Sequence, residues 1–286
     1  MTEPVIAGVD GSKASQVAAG QAADAALRRR APLLLVHGYL HPFRYGVPID
    51  PYAFQLPPPS DEAIRMLDEV AAELRRERPG LTVETRQVAG GPAAALVELS
   101  QEARLVVVGS RGHGGFTGLL LGSVSAQVAS HAHCPVLVVR PADLPPPKTG
   151  PVVVGVDGSA GSGPALAFAA EEAALRGSPL TVLHVWGDAP RDGATVRDEA
   201  QRLLDEAVAE ARERHPGLTV EGRAVTGLDP ERALIEASGK ASLVVVGSRG
   251  RGGFTGLLLG SVSQALVHHS GCPVVIARPH HHQKGD

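Results

Sequence analysis

The chain alternates between short apolar runs and longer amphipathic stretches. In its first half, five runs rich in Val and Leu predict strands at residues 4–9, 33–37, 81–88, 105–108 and 135–139. Stretches of mixed polarity between them predict helices over 13–30, 60–78, 92–103 and 123–131. Most of the strands are too apolar for one face in water, so we expect them to be buried on both sides. The order βαβαβαβαβ predicts an α/β fold with a parallel sheet, right-handed crossovers and helices on both faces.

The same pattern occurs twice. Ile6–Ser12 returns as Val153–Ser159, and Gly109–Ser125 returns as Gly247–Ser263 with His113 replaced by Arg251 as the only change. The offset between the two copies is far longer than the roughly 20 to 50 residues of a solenoid repeat, so it indicates a duplicated domain. The boundaries that we predict are a first domain over residues 1–141, a Pro-rich linker over 142–151, a second domain over 152–279 and a tail over 280–286.

Helix start signals agree with this assignment. Ser12 is placed to cap the first helix, and Asp229 before Pro230 is placed to cap the third helix of the second copy. In such sheets, ligands bind outside the carboxyl ends of the strands, where the strand order switches. The loops after the first, second and fourth strands of each copy are therefore the predicted site.

Composition narrows the class of protein. With 286 residues, 43% hydrophobic and 20% charged, and a formal charge of -3, the chain has neither the composition of a disordered protein nor a basic, nucleic-acid-coating surface. Aromatic residues are only 3%, which leaves little surface for stacking bases of a single strand. No apolar run is long enough to span a bilayer and no export signal is visible, so we expect no membrane partner and a cytoplasmic location.

The two cysteines form no metal or redox spacing. Cys134 and Cys272 stand in equivalent places at the start of the last strand of each copy. No cation or helix start that would lower the thiol pKa is evident nearby, so we favour buried packing over redox sensing. Reduced thiols fit the predicted cytoplasmic location.

A glycine-rich loop follows the fourth strand of each copy. The first loop has the spacing Gly109-x2-Gly112-x9-Gly122-Ser123, and the second repeats every one of these glycines. Glycines let backbone N–H groups approach one anion closely, and Ser123 lies at a helix start, where the dipole is positive. A flexible loop is the alternative, but the repetition favours a polyphosphate cradle.

Two competing phosphate motifs are missing. Gly239-Lys240-Ala241 fails the Walker pattern, which needs Ser or Thr after the Gly-Lys pair. The first-strand turn Gly8–Ser12 does not have the spacing of a dinucleotide fingerprint. These observations disfavour P-loop NTPase chemistry and NAD binding.

These motifs together resemble the universal stress protein family in its tandem two-domain form. The resemblance rests on Gly8–Ser12, the glycine loop and the Cys134-Pro135-Val136 strand, and it covers nearly all of residues 4–140 and 152–278. The family implies two doubly wound, Rossmann-like domains, each a five-stranded parallel sheet of order 3-2-1-4-5. It also implies ATP as the ligand, so we predict one ATP in each domain.

Carried onto this sequence, the family implies a matching set of nucleotide contacts in each copy. The strand-one Asp lies near the ribose or a Mg²⁺ ion on the phosphates, residues around His37 and Gly38 border the adenine, and the helix start holds the β and γ phosphates. In the first copy the residues are Gly8, Asp10, Gly38, Gly109, Ser110, Arg111, Gly112, His113, Gly114, Gly115, Gly122, Ser123 and Val124. In the second they are Gly155, Asp157, Val185, Asp188, Gly247, Ser248, Arg249, Gly250, Arg251, Gly252, Gly253, Gly260, Ser261 and Val262, with His184 beside Val185.

Several of these residues have a second interpretation. Asp10 and Asp157 are metal candidates, but each is equally suited to cap the turn that follows it. Arg111 and Arg249 are suited to phosphate or to surface carboxylates. His113 cannot share a catalytic role with its counterpart, because Arg cannot accept a proton; phosphate contact or exposure to solvent fits better.

Two function classes remain open. The residues favour an ATP-binding stress-response regulator, because a phosphate cradle stands without a paired base, nucleophile or metal cluster. The alternative is a slow metal-dependent ATPase using Asp10 or Asp157. The family also implies a homodimer of tandem chains, and a regulator implies a protein partner. The segment 39–59 fits a lid, a subunit contact or a disordered segment, and His280–His282 fits a solvated tail.

Overall fold

The computed structural model describes residues 2–39, 60–112, 121–140, 150–186, 193–227, 229–251 and 259–278. The chain divides into two compact units, Met1–Cys134 and Pro135–Asp286. Among the described residues, no helix combines the length and the apolar character needed to cross a membrane.

The first unit contains four strands and four α-helices among its described residues. In chain order they are β1 Val5–Gly8, α1 Lys13–Arg29, β2 Leu33–Tyr39, α2 Asp61–Glu77, β3 Val83–Ala89, α3 Pro92–Leu99, a 3₁₀ turn Ser100–Glu102, β4 Leu105–Gly109 and α4 Ser123–His131. The strands pair in parallel in the order β3-β2-β1-β4. The loops after β1, β2 and β4 therefore leave the same edge of the sheet.

The second unit repeats this arrangement. Its elements are β5 Val136–Val139, β6 Val152–Gly155, α5 Ser162–Arg176, β7 Leu180–Trp186, α6 Gly193–Arg214, β8 Val220–Thr226, α7 Pro230–Ser238, β9 Leu243–Gly247, α8 Ser261–His269 and β10 Val274–Ala277. Five strands pair in parallel in the order β8-β7-β6-β9-β10. Strand β5 joins β10 in antiparallel register, with Leu137 opposite Val275. The predicted fold class, α/β with tandem domains of mostly parallel sheet, is confirmed.

The buried face of α1 consists almost entirely of alanine. Ala18, Ala19, Ala22, Ala23 and Ala26 are fully buried. Side chains this small let the helix backbone lie close to the sheet, where α1 packs on β1 and β4. This close packing fixes the start of α1, and with it the loop after β1, relative to the end of β4.

The expectation that strands are buried on both faces is wrong for β3. Only Val83 at its start is buried, while Glu84, Thr85 and Arg86 are exposed. The strand lies at the end of the pairing order, so its outer edge has no neighbouring strand in the described sheet. Charged residues at such a position discourage pairing with other chains. The equivalent strand β8 has the same pattern of exposure.

Of the two predicted helix caps, one is confirmed. Ser12 Oγ accepts a hydrogen bond from Ser15 N at 3.2 Å. Asp229 occupies the cap position of α7, but its side chain makes no capping hydrogen bond, so that part of the prediction is wrong. The residue instead lines the cavity of the second unit.

Candidate functional site

Asp157 ties together three segments at the carboxyl end of β6. Its Oδ1 accepts hydrogen bonds from Ser159 N at 3.0 Å and from Ser162 Oγ at 2.8 Å, which joins the turn after β6 to the start of α5. Its Oδ2 accepts a hydrogen bond from Arg251 N at 2.8 Å, which joins the same carboxylate to the glycine loop after β9. The side chain therefore fixes the glycine loop relative to the first strand of the unit.

Close approach at this point requires glycine. A Cβ on Gly250 would collide with Asp157 Oδ2. The carboxylate cannot move aside without loss of its three hydrogen bonds, so the loop runs against it only because position 250 has no side chain. The glycine spacing found in the sequence has this steric cause.

The start of α8 completes an anion cradle. Gly260 N donates to Ser248 O at 2.8 Å, and Ser263 Oγ donates to Gly247 O at 2.8 Å, so the helix start is held against the end of β9. Gly260 occupies the N-cap position and has no side chain with which to cap the helix. The first N–H groups of the helix thus face the site at the positive end of the dipole.

A cavity of about 1230 Å³ lies over these elements in the second unit. It is larger than the roughly 300–1,000 Å³ usual for pockets that bind small molecules. Ser159 lines the cavity next to Asp157, to which its main-chain N–H donates. The donor set fits a phosphorylated ligand.

The first unit shares the main contacts of this geometry. Asp10 Oδ1 accepts a hydrogen bond from Ser12 N at 3.0 Å, and a Cβ on Gly112 would collide with Asp10 Oδ2. Gly122 N donates to Ser110 O at 2.7 Å, as Gly260 does in the second unit. Ser125 Oγ donates to Gly109 O at 2.5 Å. The helix start of α4 is therefore held against the end of β4 in the same way.

The second-strand histidines are oriented alike in the two units. Nδ1 of His37 donates to Val9 O at 2.8 Å, and Nδ1 of His184 donates to Val156 O at 2.7 Å. A carbonyl oxygen can only accept, so each ring carries its proton on Nδ1. These bonds connect the end of the second strand to the residue before the site Asp.

Most of the predicted residues of the second copy meet at the cavity. The lining includes Gly155, Asp157, Val185, Gly247, Arg249, Gly250, Arg251, Gly260, Ser261 and Val262. Ser248 is absent from the lining and contributes its carbonyl oxygen to the cradle instead. Asp188, Gly252 and Gly253 lie outside the described residues.

In the first copy, the described candidates lie at the equivalent strand ends and helix start. They are Gly8, Asp10, Gly38, Gly109, Ser110, Arg111, Gly112, Gly122, Ser123 and Val124. Ser110 is buried, at 1% exposure, and its carbonyl oxygen accepts the hydrogen bond from Gly122 N. His113, Gly114 and Gly115 lie outside the described residues, as do 40–59 and the histidine tail.

Several site residues were not predicted from the sequence, among them Trp186, Ser162, the start of α7 and side chains of α6. Ser162 anchors Asp157, and its counterpart Ser15 donates to Ser12 O at 2.9 Å. Repetition of this serine in both copies was a signal that could have identified it. The α6 side chains that line the cavity could not be recognised in this way, because they belong to an amphipathic helix outside the repeated motifs. They are Val196, Glu199, Ala200, Arg202, Leu203 and Glu206.

The electrostatics of Asp157 favour its ionised form. Partial burial raises the pKa of the carboxyl, but hydrogen bonds from Ser159, Arg251 and Ser162 outweigh burial and leave the pKa below the ordinary 3.8. Within the described ranges, no group of three or more His, Cys, Asp or Glu side chains could hold a metal ion. Asp10 and Asp157 therefore stay predicted metal contacts only by way of bound phosphates.

The fold and the site define a class of protein: a doubly wound α/β protein with a backbone anion cradle at the sheet edge of each unit. The sequence profile of the Universal stress protein family matches residues 1–140 and 148–278. The chain belongs to the universal stress protein family, in its tandem form.

Individual relatives agree with this membership. A universal stress protein of Mycobacterium tuberculosis (strain H37Rv) is 40% identical over 286 residues, covering 96% of each chain. A second one from the same strain is 38% identical over 289 residues, again covering 96% of each chain. The crystal structure of a universal stress protein from Archaeoglobus fulgidus DSM 4304 superposes with a TM-score of 0.67 at 24% identity and covers 96% of both chains. That likeness shows the fold.

Proposed function

We propose that this chain is an ATP-binding stress-response regulator that holds one ATP in each domain. The observation that carries the proposal is the cavity of the second unit, where the glycine loop, the Asp157 carboxylate and the uncapped start of α8 surround one space. Backbone N–H groups at a helix start are suited to phosphate. The cavity has room for a base and ribose beside the phosphates.

The repetition of the cradle supports a site in the first domain as well. The bond from Gly122 N to Ser110 O matches the bond from Gly260 N to Ser248 O. Asp10 and Asp157 share the turn bond, from Ser12 N and Ser159 N, and in each unit the glycine loop runs close against the carboxylate. These shared features support the same role for both loops. Two nucleotides per chain follow from this correspondence.

The role of the nucleotide is regulatory in this proposal. The described site offers donors to phosphate, but the three-group acidic or histidine clusters that hold a catalytic metal are absent from the described residues. Bound ATP with Mg²⁺ on its phosphates would favour one conformation or one partner surface. The protein partner, a homodimer of tandem chains and a cytoplasmic location belong to the same proposal. The location is supported by two buried cysteines that form no disulfide.

The test is to identify the small molecule that accompanies the purified protein. The protein is denatured, the released compounds are measured by mass, and ATP is then titrated into nucleotide-free protein by calorimetry. We expect adenine nucleotide in the extract and heat of ATP binding. An extract without adenine nucleotide, together with a titration without heat, contradicts the proposal.

A turnover assay separates the regulator from the slow ATPase. Phosphate release is followed over hours in wild type and in Asp157→Ala. A regulator gives no sustained release in either protein. Sustained release that disappears in the variant, with ATP binding retained, assigns the chain to the enzyme class.

A further inference from the structure

Arg251 lies at the edge of the second cavity with its backbone fixed. Its N–H donates to Asp157 Oδ2 at 2.8 Å. The guanidinium folds over Gly158, since a Cβ built there would lie 2.5 Å from Arg251 Nη2 and 2.6 Å from Leu203 Cδ1. Gly158 has a φ of +73°, which also favours glycine. The arginine therefore lies between the turn after β6 and helix α6.

The guanidinium charge is not used by an ion pair within the described part of the chain. Arg251 forms none of the described salt bridges, although two exposed carboxylates of α6, Glu199 and Glu206, line the same cavity. The side chain is exposed to the cavity and to solvent. A permanent positive charge beside the anion cradle is thus available to a ligand.

The first copy provides an internal comparison. Its loop has the same sequence from Gly109 to Ser125 as the second has from Gly247 to Ser263, except that His113 stands where the second has Arg251. Arg is charged at every physiological pH, whereas an unperturbed His is mostly neutral at pH 7. The two sites therefore differ by about one unit of charge in otherwise matching loops.

We propose that Arg251 is a specificity-determining residue that makes the second site select nucleoside triphosphates over monophosphates more strongly than the first. This inference rests on the proposed nucleotide function and adds that affinity at the second site depends on the charge of the ligand. A fixed cation is attracted to a ligand in proportion to the ligand's charge. ATP without bound Mg²⁺ carries about two more negative charges than AMP, so the two nucleotides are compared in buffer free of divalent cations. At roughly 6 Å in a water-like dielectric, this difference corresponds to about a tenfold change in affinity.

The second site has its own reporter. Trp186 is the only tryptophan of the chain, and it lines the cavity of the second unit. Its fluorescence, excited at a wavelength where adenine does not absorb, reports occupancy of that site alone. Titrations with ATP and with AMP give the ratio of the two dissociation constants in wild type and variants.

We expect Arg251→Gln to lower the ratio of ATP affinity to AMP affinity about tenfold, because the lost charge weakens ATP binding more than AMP binding. Arg251→Lys keeps the charge and is expected to retain most of the selectivity. The difference between wild type and Arg251→Gln is expected to shrink at high salt, because counterions screen the charge. Calorimetry on the same proteins measures the ratio independently of the tryptophan.

Two further variants serve as controls. Arg223→Gln makes the same change of net charge on β8, outside the cavity lining, and is expected to leave the ratio unchanged. His113→Arg puts the second copy's residue into the first loop, and calorimetry is expected to show stronger selection of ATP at the first site.

The outcomes separate the two proposals. Equal loss of ATP and AMP affinity in Arg251→Gln, or no loss, overturns the role of Arg251 and leaves the nucleotide function intact. Wild-type protein that binds neither nucleotide by calorimetry overturns both proposals.

Discussion

At the scale of single residues, Asp157 stabilises the arrangement of the second site. It is the acceptor for three donors that belong to the turn after β6, to α5 and to the glycine loop. The sequence alone is consistent with either role for this residue, a turn cap or a ligand contact. The hydrogen bond from Ser159 N gives it the turn-capping role, and the bond to the loop is an addition that no sequence pattern indicated.

Asp157→Asn is expected to lower the free energy of unfolding. An amide can keep the bonds from Ser159 and Ser162 on its oxygen, but its NH₂ group would then face Arg251 N, so two donors oppose each other. We expect a loss of about 1 kcal/mol at pH 7, measured by urea unfolding. The surface variant Asp198→Asn, on the exposed side of α6, serves as the control and is expected to unfold like wild type.

The difference in free energy of unfolding between wild type and Asp157→Asn is predicted to depend on pH. The folded-state pKa of Asp157 lies below the ordinary 3.8, so its stabilising contribution is present above about pH 3.8 and is lost as pH falls through the folded-state value. The difference in free energy of unfolding between wild type and Asp157→Asn should therefore become smaller in strongly acidic solution. A difference that grows on acidification contradicts the assigned hydrogen bonds of Asp157.

Both thiols are expected to be unreactive in the native protein. Cys134 and Cys272 are buried, at 0% and 2% exposure. Burial raises the pKa of the Cys272 thiol from 9.0 to about 11, so very little thiolate exists near pH 8. A thiol reagent should react slowly with native protein and with two thiols after denaturation; rapid native reaction of either cysteine contradicts buried packing.

At the level of elements, a substitution in one glycine loop is expected to change ATP binding only at the site of that loop. Gly250→Ala places a Cβ against Asp157 Oδ2, so it should weaken ATP binding at the second site by about tenfold or more and reduce the Trp186 response. Gly112→Ala makes the same change beside Asp10 and should leave the Trp186 response unchanged.

A matched glycine variant controls for the added methyl group. Gly163 lies in the first turn of α5, and a Cβ there would meet nothing within 4 Å. Gly163→Ala is therefore expected to bind ATP like wild type. If Gly163→Ala and Gly250→Ala weaken binding equally, the steric account of the loop is wrong.

The strands and helices were predictable because their apolar periodicity is strong. The predicted helix 123–131 coincides with α4, and 13–30 differs from α1 by one residue. The exposure of β3 was missed, although Glu84 and Arg86 are polar and the strand order that the resemblance implies already ends with the third strand. Long-range pairing decides that order, and a local pattern does not contain it.

At the scale of the whole molecule, the duplication made the site predictable. Two copies of the same spacing distinguish required glycines from incidental ones, and ten of the residues predicted for the second copy line its cavity. The contribution of α6 could not be predicted in this way. Its side chains reach the cavity only through packing of the helix on β7 and β8, and the segment before it differs between the copies.

The central claim is that each copy holds its own nucleotide, and the number of ATP molecules bound per chain tests it most directly. Calorimetric titration of nucleotide-free wild-type protein is predicted to give two ATP per chain. Wild-type protein that binds one ATP per chain, or none, would contradict the claim.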